Sequence, residues 1–239
     1  MARKGRTQGY TAALGGQRPQ ANGARQRRRM KFLAGGIILV LVLGLGAWIR
    51  WRQQRDVVTQ LQNTGASRYP RGPAGAPVII KEFSDYTCPH CKMLQEPLEH
   101  VLQRFEGQVQ LLLYPYVLNP TSEVATHMAW CAGEQGKFWE FHHMLYRRQG
   151  IWYRLTAPQE RLLEFAQDLH LDTAMLKSCV ESKRMQERIN MDKAYGQQLQ
   201  VNSTPTLFVN EQRVVGSKPE NELVQLVQQE LERVQQRAK

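Results

Sequence analysis

The segment EFSDYTCPHCKML, residues 82–94, places Cys88 and Cys91 two residues apart with a proline and a histidine between them. The apolar, β-branched run PVIIKEF that leads into it, residues 77–83, predicts a buried strand. Thr87 fits a helix N-cap, and the proline of the motif fits a first helical turn, where a missing N–H costs nothing. The segment therefore predicts a strand followed at once by a helix that carries both cysteines near its start.

The elements that follow predict an α/β fold. VQLLLYPYV (residues 109–117) predicts a second strand, and STPTLFVNEQRVVG (residues 203–216) predicts a hairpin of two more. Residues 121–199 between them show apolar side chains at helical spacing and no convincing strand, so we expect a helical insertion there. A closing helix begins near Pro219. The expected order is strand, helix, strand, helical insertion, hairpin and helix.

Three kinds of site can use two cysteines at this spacing: a zinc site, a structural disulfide and a redox couple. A zinc site needs two more ligands, and Cys131 and Cys179 do not form a second closely spaced pair. A bridge across so short a loop would stabilise little. At a helix start, by contrast, free backbone N–H groups and the helix dipole stabilise a thiolate. We expect a redox couple and no metal.

The residues around the couple suggest distinct roles. Cys88 lies where the helix start favours a thiolate, and His90 can add a positive charge or a hydrogen bond to that anion. Cys91, one turn further in, fits the resolving partner. A lowered pKa at Cys88 would stabilise the dithiol relative to the disulfide and make the couple an oxidant. Glu82 is either a buried carboxyl that relays protons to Cys91 or a solvated carboxylate at the strand end.

The positive charge of the chain is concentrated before the predicted domain. Of a formal net charge of +11, residues 1–31 carry nine Lys or Arg and no acidic residue, whereas residues 61–239 carry 20 basic and 20 acidic side chains. A neutral domain removes most of the case for nucleic-acid binding. The basic tail, rich in Arg, Gln and Gly, is expected to be disordered.

A run without charge follows this tail. As a helix, FLAGGIILVLVLGLGAWI (residues 32–49) would be about 27 Å long, close to the hydrocarbon thickness of a bilayer. The run continues into AWIRWRQQR without a cleavage site, so we favour an uncleaved anchor over a signal peptide. The positive-inside rule then predicts a cytoplasmic tail (1–31), one transmembrane anchor (32–49), a linker (50–76) and an extracytoplasmic domain (77–239).

The remaining cysteines and histidines allow weaker expectations. In an oxidising compartment Cys131 and Cys179 would form a disulfide that braces the helical insertion, although two separate buried thiols are the alternative. His142 and His143 are neighbours on a predicted helix, so their side chains diverge and a shared metal is not expected.

Taken together, EFSDYTCPHC and STPTLFVN resemble the thioredoxin superfamily, and specifically its DsbA-like extracytoplasmic oxidases, which share the CPHC tetrapeptide. The resemblance covers about residues 75–236 and implies a thioredoxin-like fold with a helical insertion. It also implies that Cys88 is the exposed nucleophile, that His90 tunes it, that Cys91 resolves the mixed disulfide, and that Glu82 is the buried acid.

The same resemblance assigns a substrate site and a function. Thr204 and Pro205 match the cis-proline loop that faces the two cysteines and pairs with a bound peptide. The implied activity is donation of disulfides to unfolded or reduced exported proteins, with no cofactor, and with reoxidation by a membrane protein of the DsbB or vitamin-K-epoxide-reductase type. Two alternatives stay open: a reductase or isomerase that uses the same couple in the other direction, and a peptide-binding chaperone without turnover.

Overall fold

The computed structural model describes residues 44–46, 48 and 69–237. The basic tail, the linker up to residue 68 and all but four residues of the predicted span 32–49 lie outside the described residues. Among the helices formed by the described residues, none is both long enough and apolar enough to cross a bilayer.

A four-stranded mixed sheet forms the centre of the domain. Its strands are β1 (Val78–Ser84), β2 (Val109–Pro115), β3 (Thr206–Val209) and β4 (Gln212–Val215). The spatial order is β2-β1-β3-β4, with β1 parallel to β2 and the other two pairs antiparallel. All four were predicted from the alternating or continuous apolar runs. Strand β1 lies between β2 and β3, and helices cover both of its faces, which explains why its sequence is largely apolar on both faces.

Seven α-helices and one 3₁₀ turn complete the described domain. They are α1 (Pro89–Arg104), α2 (Pro120–Glu134), α3 (Phe138–Arg147), the 3₁₀ turn (Gln149–Ile151), α4 (Gln159–Asp168), α5 (Thr173–Glu181), α6 (Gln186–Gln198) and α7 (Glu220–Arg237). Helices α2 to α6 lie between β2 and β3 in the chain, so the helical insertion occupies the predicted part of the sequence.

Helices cover both faces of the sheet. On one face, Ile80 of β1 packs in a buried cluster with Leu98 of α1 and Val227 of α7. On the other face, Phe83 of β1 packs with Tyr195 of α6. Full burial of such side chains contributes about 1.5–3 kcal/mol each, so the two faces fix the register of β1. Side chains alternate between the two faces along a strand, so Glu82, two residues after Ile80, lies on the same face and towards α1.

The helices of the insertion pack around a buried cluster that includes a disulfide. Trp130, Phe141, Trp152 and Phe165 are almost completely buried in one cluster, as expected for core aromatics. Cys131 of α2 and Cys179 of α5 form a disulfide with their Cα atoms 5.9 Å apart. The structure therefore contains the disulfide and not the two separate buried thiols.

The packed part of the chain begins before the boundary that we predicted at Pro77. Tyr69 stacks on Phe138 with ring centroids 4.4 Å apart. The backbone of Arg71 exchanges hydrogen bonds of 3.0 and 2.8 Å with Leu111, adding a short bridge to the edge of β2. The Pro- and Gly-rich composition of this segment is typical of a linker, but the exposed edge of β2 offers it hydrogen-bond partners.

Candidate active site

The two-cysteine motif sits at the junction of β1 and α1, with Cys88 itself as the N-cap of the helix. Thr87, which we expected to be the cap, instead belongs to the preceding turn. Its backbone N–H and its hydroxyl both donate to the Asp85 carboxylate, at 2.7 and 2.5 Å. This turn directs Cys88 outward, and its side chain is half-buried.

Cys88 is strongly biased towards the thiolate. Its pKa is lowered from 9.0 to about 5, first because the Cys91 thiol donates a hydrogen bond to it. The backbone N–H groups of Cys91 and His90 act in the same direction, and partial burial opposes them. Free N–H groups of this kind are what a helix N-terminus provides. At neutral pH Cys88 is therefore a thiolate.

Cys91 has the opposite character. It is completely buried in the first turn of α1, and burial raises its pKa far above that of an ordinary thiol. Its hydrogen bond to Cys88 adds to this effect, and the Asp85 backbone N–H lies 3.5 Å from its sulfur. Both thiols are free in this structure. The motif thus contains one exposed thiolate and one buried thiol.

His90 acts on Cys88 through its backbone in this structure. Its side chain is exposed, and its backbone N–H is the group that stabilises the Cys88 sulfur. The influence that we expected from the imidazole stays a prediction.

Thr204 and Pro205 lie opposite the motif. The Thr204–Pro205 peptide bond is cis. The Cys88 sulfur lies 3.4 Å from the Thr204 carbonyl oxygen, although 116 residues separate the two in the chain. The Thr206 hydroxyl donates to the Ser203 carbonyl at 2.7 Å and holds this loop. The backbone of Thr204 therefore stands beside the exposed sulfur, where a bound peptide could reach both.

Two buried polar side chains that the sequence analysis did not select hold the motif in place. The Gln149 amide donates to the carbonyls of Tyr86 and Cys88, at 2.9 and 3.0 Å. The second oxygen of the Asp85 carboxylate accepts from the Leu118 backbone N–H at 2.8 Å. Asp85 could have been suspected from its position two residues before a threonine, which is typical of an Asx turn. Gln149 had no such local signal.

Glu82 lies behind the motif with none of its surface exposed. It stands on β1 between Leu113 of β2 and Leu207 of β3, so it is not the solvated strand-end carboxylate of our alternative. Burial raises its pKa, while hydrogen bonds with Ser84 and Gln95 lower it in part. Its Oε1 accepts from the Gln95 amide at 3.0 Å, and its Oε2 is buried without a hydrogen-bond partner among the described residues.

A chain of polar side chains continues from Glu82 into the insertion. Gln95 Oε1 lies 2.8 Å from His142 Nε2, and His142 Nδ1 lies 3.0 Å from the Tyr86 hydroxyl. His142 and Tyr86 are both buried. Within the described residues, no group of three or more His, Cys, Asp or Glu side chains is placed to hold a metal.

The structure brings Cys88, Cys91, Thr204 and Pro205 together in one place and sets Glu82 beneath them. Cys131 and Cys179 are bonded to each other and lie in the buried cluster of the insertion, to which Cys91 also belongs.

Comparison with known proteins gives a consistent family match. Residues 64–229 match a family model described as Thioredoxin. The chain is 34% identical over 149 residues to Na(+)/H(+) antiporter NhaA 1 of Salinispora arenicola, which covers 62% of this chain but only 22% of the antiporter. It is 22% identical over 168 residues to disulfide bond formation protein D of Bacillus subtilis, covering 67% of this chain and 75% of that protein.

A solved structure shares the fold. The crystal structure of oxidised BdbD from Bacillus subtilis superposes with a TM-score of 0.63 at 22% sequence identity, covering 68% of this chain and 92% of that one.

Proposed function

Because the chain belongs to the thioredoxin family, we propose that it is a thiol:disulfide oxidoreductase whose redox couple is Cys88 and Cys91. The observation that carries the proposal is the difference between the two thiols. Cys88 is half-exposed with a pKa of about 5, whereas Cys91 is buried and its pKa is raised. Disulfide exchange requires this arrangement, in which a thiolate lies at the surface and a thiol lies buried beneath it.

We propose further that the couple donates disulfides. A hydrogen-bonded Cys88 thiolate stabilises the reduced form of the protein, which makes the oxidised form a stronger oxidant. A substrate thiolate attacks the Cys88 sulfur, a new sulfur–sulfur bond forms, and Cys91 leaves with the electron pair of the broken bond and takes up a proton. A second substrate thiolate then displaces Cys88. Two electrons pass to the protein and the substrate acquires its disulfide.

The loop opposite Cys88 supports a peptide substrate. The backbone of Thr204 stands beside the reactive sulfur, so an extended segment that carries the attacking thiolate could pair with it. Unfolded or reduced exported proteins offer such segments, and we propose them as the substrate class.

The proposed compartment and partner follow from the region before the domain. The uncharged segment 32–49 and the nine basic residues before it support an anchored protein whose domain lies outside the cytoplasm. Reoxidation would then require a membrane protein of the DsbB or vitamin-K-epoxide-reductase type. The name of the Bacillus subtilis relative, disulfide bond formation protein D, supports the same direction of transfer. A match that spans 22% of an antiporter carries no argument for ion exchange.

One measurement tests the direction. The Cys88/Cys91 reduction potential, equilibrated against glutathione, is expected near the oxidising end of the superfamily, at about −120 mV, and not near the thioredoxin value of about −270 mV. A value close to that of thioredoxin would identify a reductase.

A second measurement tests the activity itself. Cys88→Ser should fold and fail to oxidise a reduced test protein. Cys91→Ser, mixed with a test protein that already contains a disulfide, should accumulate the mixed disulfide that forms when Cys88 attacks that bond and displaces one substrate thiolate. Substantial oxidation by Cys88→Ser would overturn the assignment. Undiminished chaperone activity after both cysteines are replaced by serine would favour the peptide-binding alternative.

A further inference from the structure

The buried Glu82 is the last acceptor in a row of hydrogen bonds that begins at Tyr86 and passes through His142 of the insertion and Gln95 of α1. We propose that Gln95 is a positioning residue that, held by His142 and Tyr86, presents its amide N–H to Glu82 and so keeps this carboxyl able to exchange a proton with Cys91. The proposal deepens the proposed function, on which its catalytic meaning rests.

The orientation of the Gln95 amide is fixed by a backbone group. Gln95 Nε2 lies 3.1 Å from the Cys91 carbonyl oxygen and 3.0 Å from Glu82 Oε1. A carbonyl oxygen can only accept a hydrogen bond, so the atom of Gln95 that faces it must be the amino nitrogen. The same nitrogen therefore donates to Glu82. Its two N–H groups link the Glu82 carboxyl to the backbone carbonyl of Cys91, the residue whose thiol must gain and lose a proton.

The other side of Gln95 fixes the histidine. With its amino group turned to Glu82, Gln95 presents Oε1 to His142 Nε2 at 2.8 Å, and this nitrogen must carry the proton. His142 Nδ1 is then the acceptor, and the Tyr86 hydroxyl donates to it at 3.0 Å. All three bonds point the same way, from Tyr86 through His142 and Gln95 to Glu82.

The environment keeps His142 in the neutral form that this polarity requires. Burial, and then the nearby charges of His143 and Arg71, hold the pKa of His142 well below its ordinary range. A neutral imidazole has one N–H group, and in His142 this group donates a hydrogen bond to Gln95 Oε1. The direction of these hydrogen bonds therefore cannot reverse, because a flipped Gln95 amide would place its oxygen against the Cys91 carbonyl oxygen, and both atoms only accept.

Within the part of the chain that the structure describes, no basic side chain is among the groups that shift the pKa of Glu82. Leu113 and Leu207 flank it in the sheet. Tyr146 of α3 and Tyr86 of the loop after β1 interact electrostatically with Glu82, and Tyr146 also interacts with Cys91 of α1. Burial raises the pKa of both tyrosines, so they stay neutral. The ionised form of Glu82 thus depends on neutral donors, Gln95 among them.

Gln95 contacts the buried Glu82 and also lines a cleft that opens to solvent. Tyr146 and Glu99 line the same cleft, which has a volume of about 660 Å³ and lies between α1 and α3. When Cys91 leaves as a thiolate, the proton that it gains comes from Glu82, which becomes the carboxylate that one Gln95 N–H group stabilises. A proton from water in the cleft then restores the carboxylic acid.

The titration of Glu82 tests this role without any substrate. Infrared difference spectra of the full reduced chain, with Glu82→Gln as the reference that identifies the carboxyl band, give its midpoint. An N–H donor stabilises the carboxylate more than the acid, so Gln95→Leu should raise the midpoint by about one to two pH units. His142→Phe should raise it less and Tyr86→Phe least. Gln95→Met, closer in shape, replaces the leucine variant if that one does not fold.

The matched control is Tyr116→Phe, which removes another buried hydroxyl, one that donates to the Val201 carbonyl at 2.8 Å. It should leave the Glu82 midpoint unchanged. A second readout is the pH profile of mixed-disulfide resolution, which should move with the midpoint. An unchanged or lowered midpoint in a folded Gln95 variant would overturn the inference. If the parent protein lacks oxidase activity but Gln95→Leu still raises the Glu82 midpoint, the proposed function is refuted. The positioning role of Gln95 is then retained.

Discussion

The side-chain amide of Gln149 donates a hydrogen bond of 3.0 Å to the backbone carbonyl of Cys88, across 61 residues of sequence. The same nitrogen donates to the Tyr86 carbonyl at 2.9 Å. A side chain from the insertion thus holds the turn that presents the Cys88 sulfur.

Replacement of Gln149 should disturb both stability and the thiolate. In Gln149→Met two buried carbonyls lose their donor, which we expect to lower the free energy of unfolding by about 1–3 kcal/mol. The pKa of Cys88 should rise, because the backbone N–H groups at the helix start are held less firmly. Urea unfolding and thiolate absorbance measure the two effects. Gln135→Met, which removes an amide paired with Asp172 away from the motif, should leave the Cys88 pKa unchanged.

The Cys88 thiolate should titrate with a midpoint of about 5, seen by ultraviolet absorbance and absent in Cys88→Ala. The unfolded thiol has an ordinary pKa of 9.0 and binds a proton where the folded one has lost it. Between about pH 5 and 9 the unfolded state therefore binds more protons, and the stability of the reduced protein rises with pH. A Cys88→Ala variant that shows the same rise would contradict this origin.

His90→Ala separates the side chain of this residue from its backbone. The backbone N–H that stabilises Cys88 remains in the variant, so any change reports the imidazole. We expect a higher Cys88 pKa and a less oxidising couple, since a nearby cation or donor favours the thiolate. An unchanged reduction potential would assign the whole influence of His90 to its backbone.

Glu82→Gln should change how stability depends on pH. The pKa of Glu82 is raised in the folded protein, so the folded state holds a proton that the unfolded carboxyl has released. Stability from this group is therefore lost as pH rises from about 4.5 through the folded pKa. Glu82→Gln cannot titrate, so its free energy of unfolding does not fall in this way. It should exceed that of the parent protein at about pH 8 but not at about pH 4. Equal differences at both pH values would contradict a buried, raised carboxyl.

Removal of the insertion disulfide should affect stability far more than exchange chemistry. The bridge closes a loop of 48 residues, for which chain entropy predicts a stabilisation of about 4 kcal/mol as an upper value. Cys131→Ala/Cys179→Ala should lower the free energy of unfolding by about 2–4 kcal/mol and leave the Cys88 titration in place. Loss of the Cys88 thiolate in a folded double variant would show that the two pairs are coupled.

The sequence predicted the parts of the fold and site that depend on short stretches of chain. The run before Cys88 predicted β1, and the helix start at the motif predicted a stabilised thiolate. The contacts of Gln149 and His142 could not be predicted, because each reaches the motif only after the insertion folds back onto α1. A polar side chain on a helix has no sequence signal for a partner that lies tens of residues away.

Because it contains the Cys131–Cys179 disulfide, the protein is itself one of its own proposed substrates. In each new chain these two thiols must lose two electrons before the disulfide forms. If mature molecules accept them, the production of mature protein is autocatalytic: the first molecules form slowly and later ones faster. The kinetics of maturation would then follow the amount of finished protein already present.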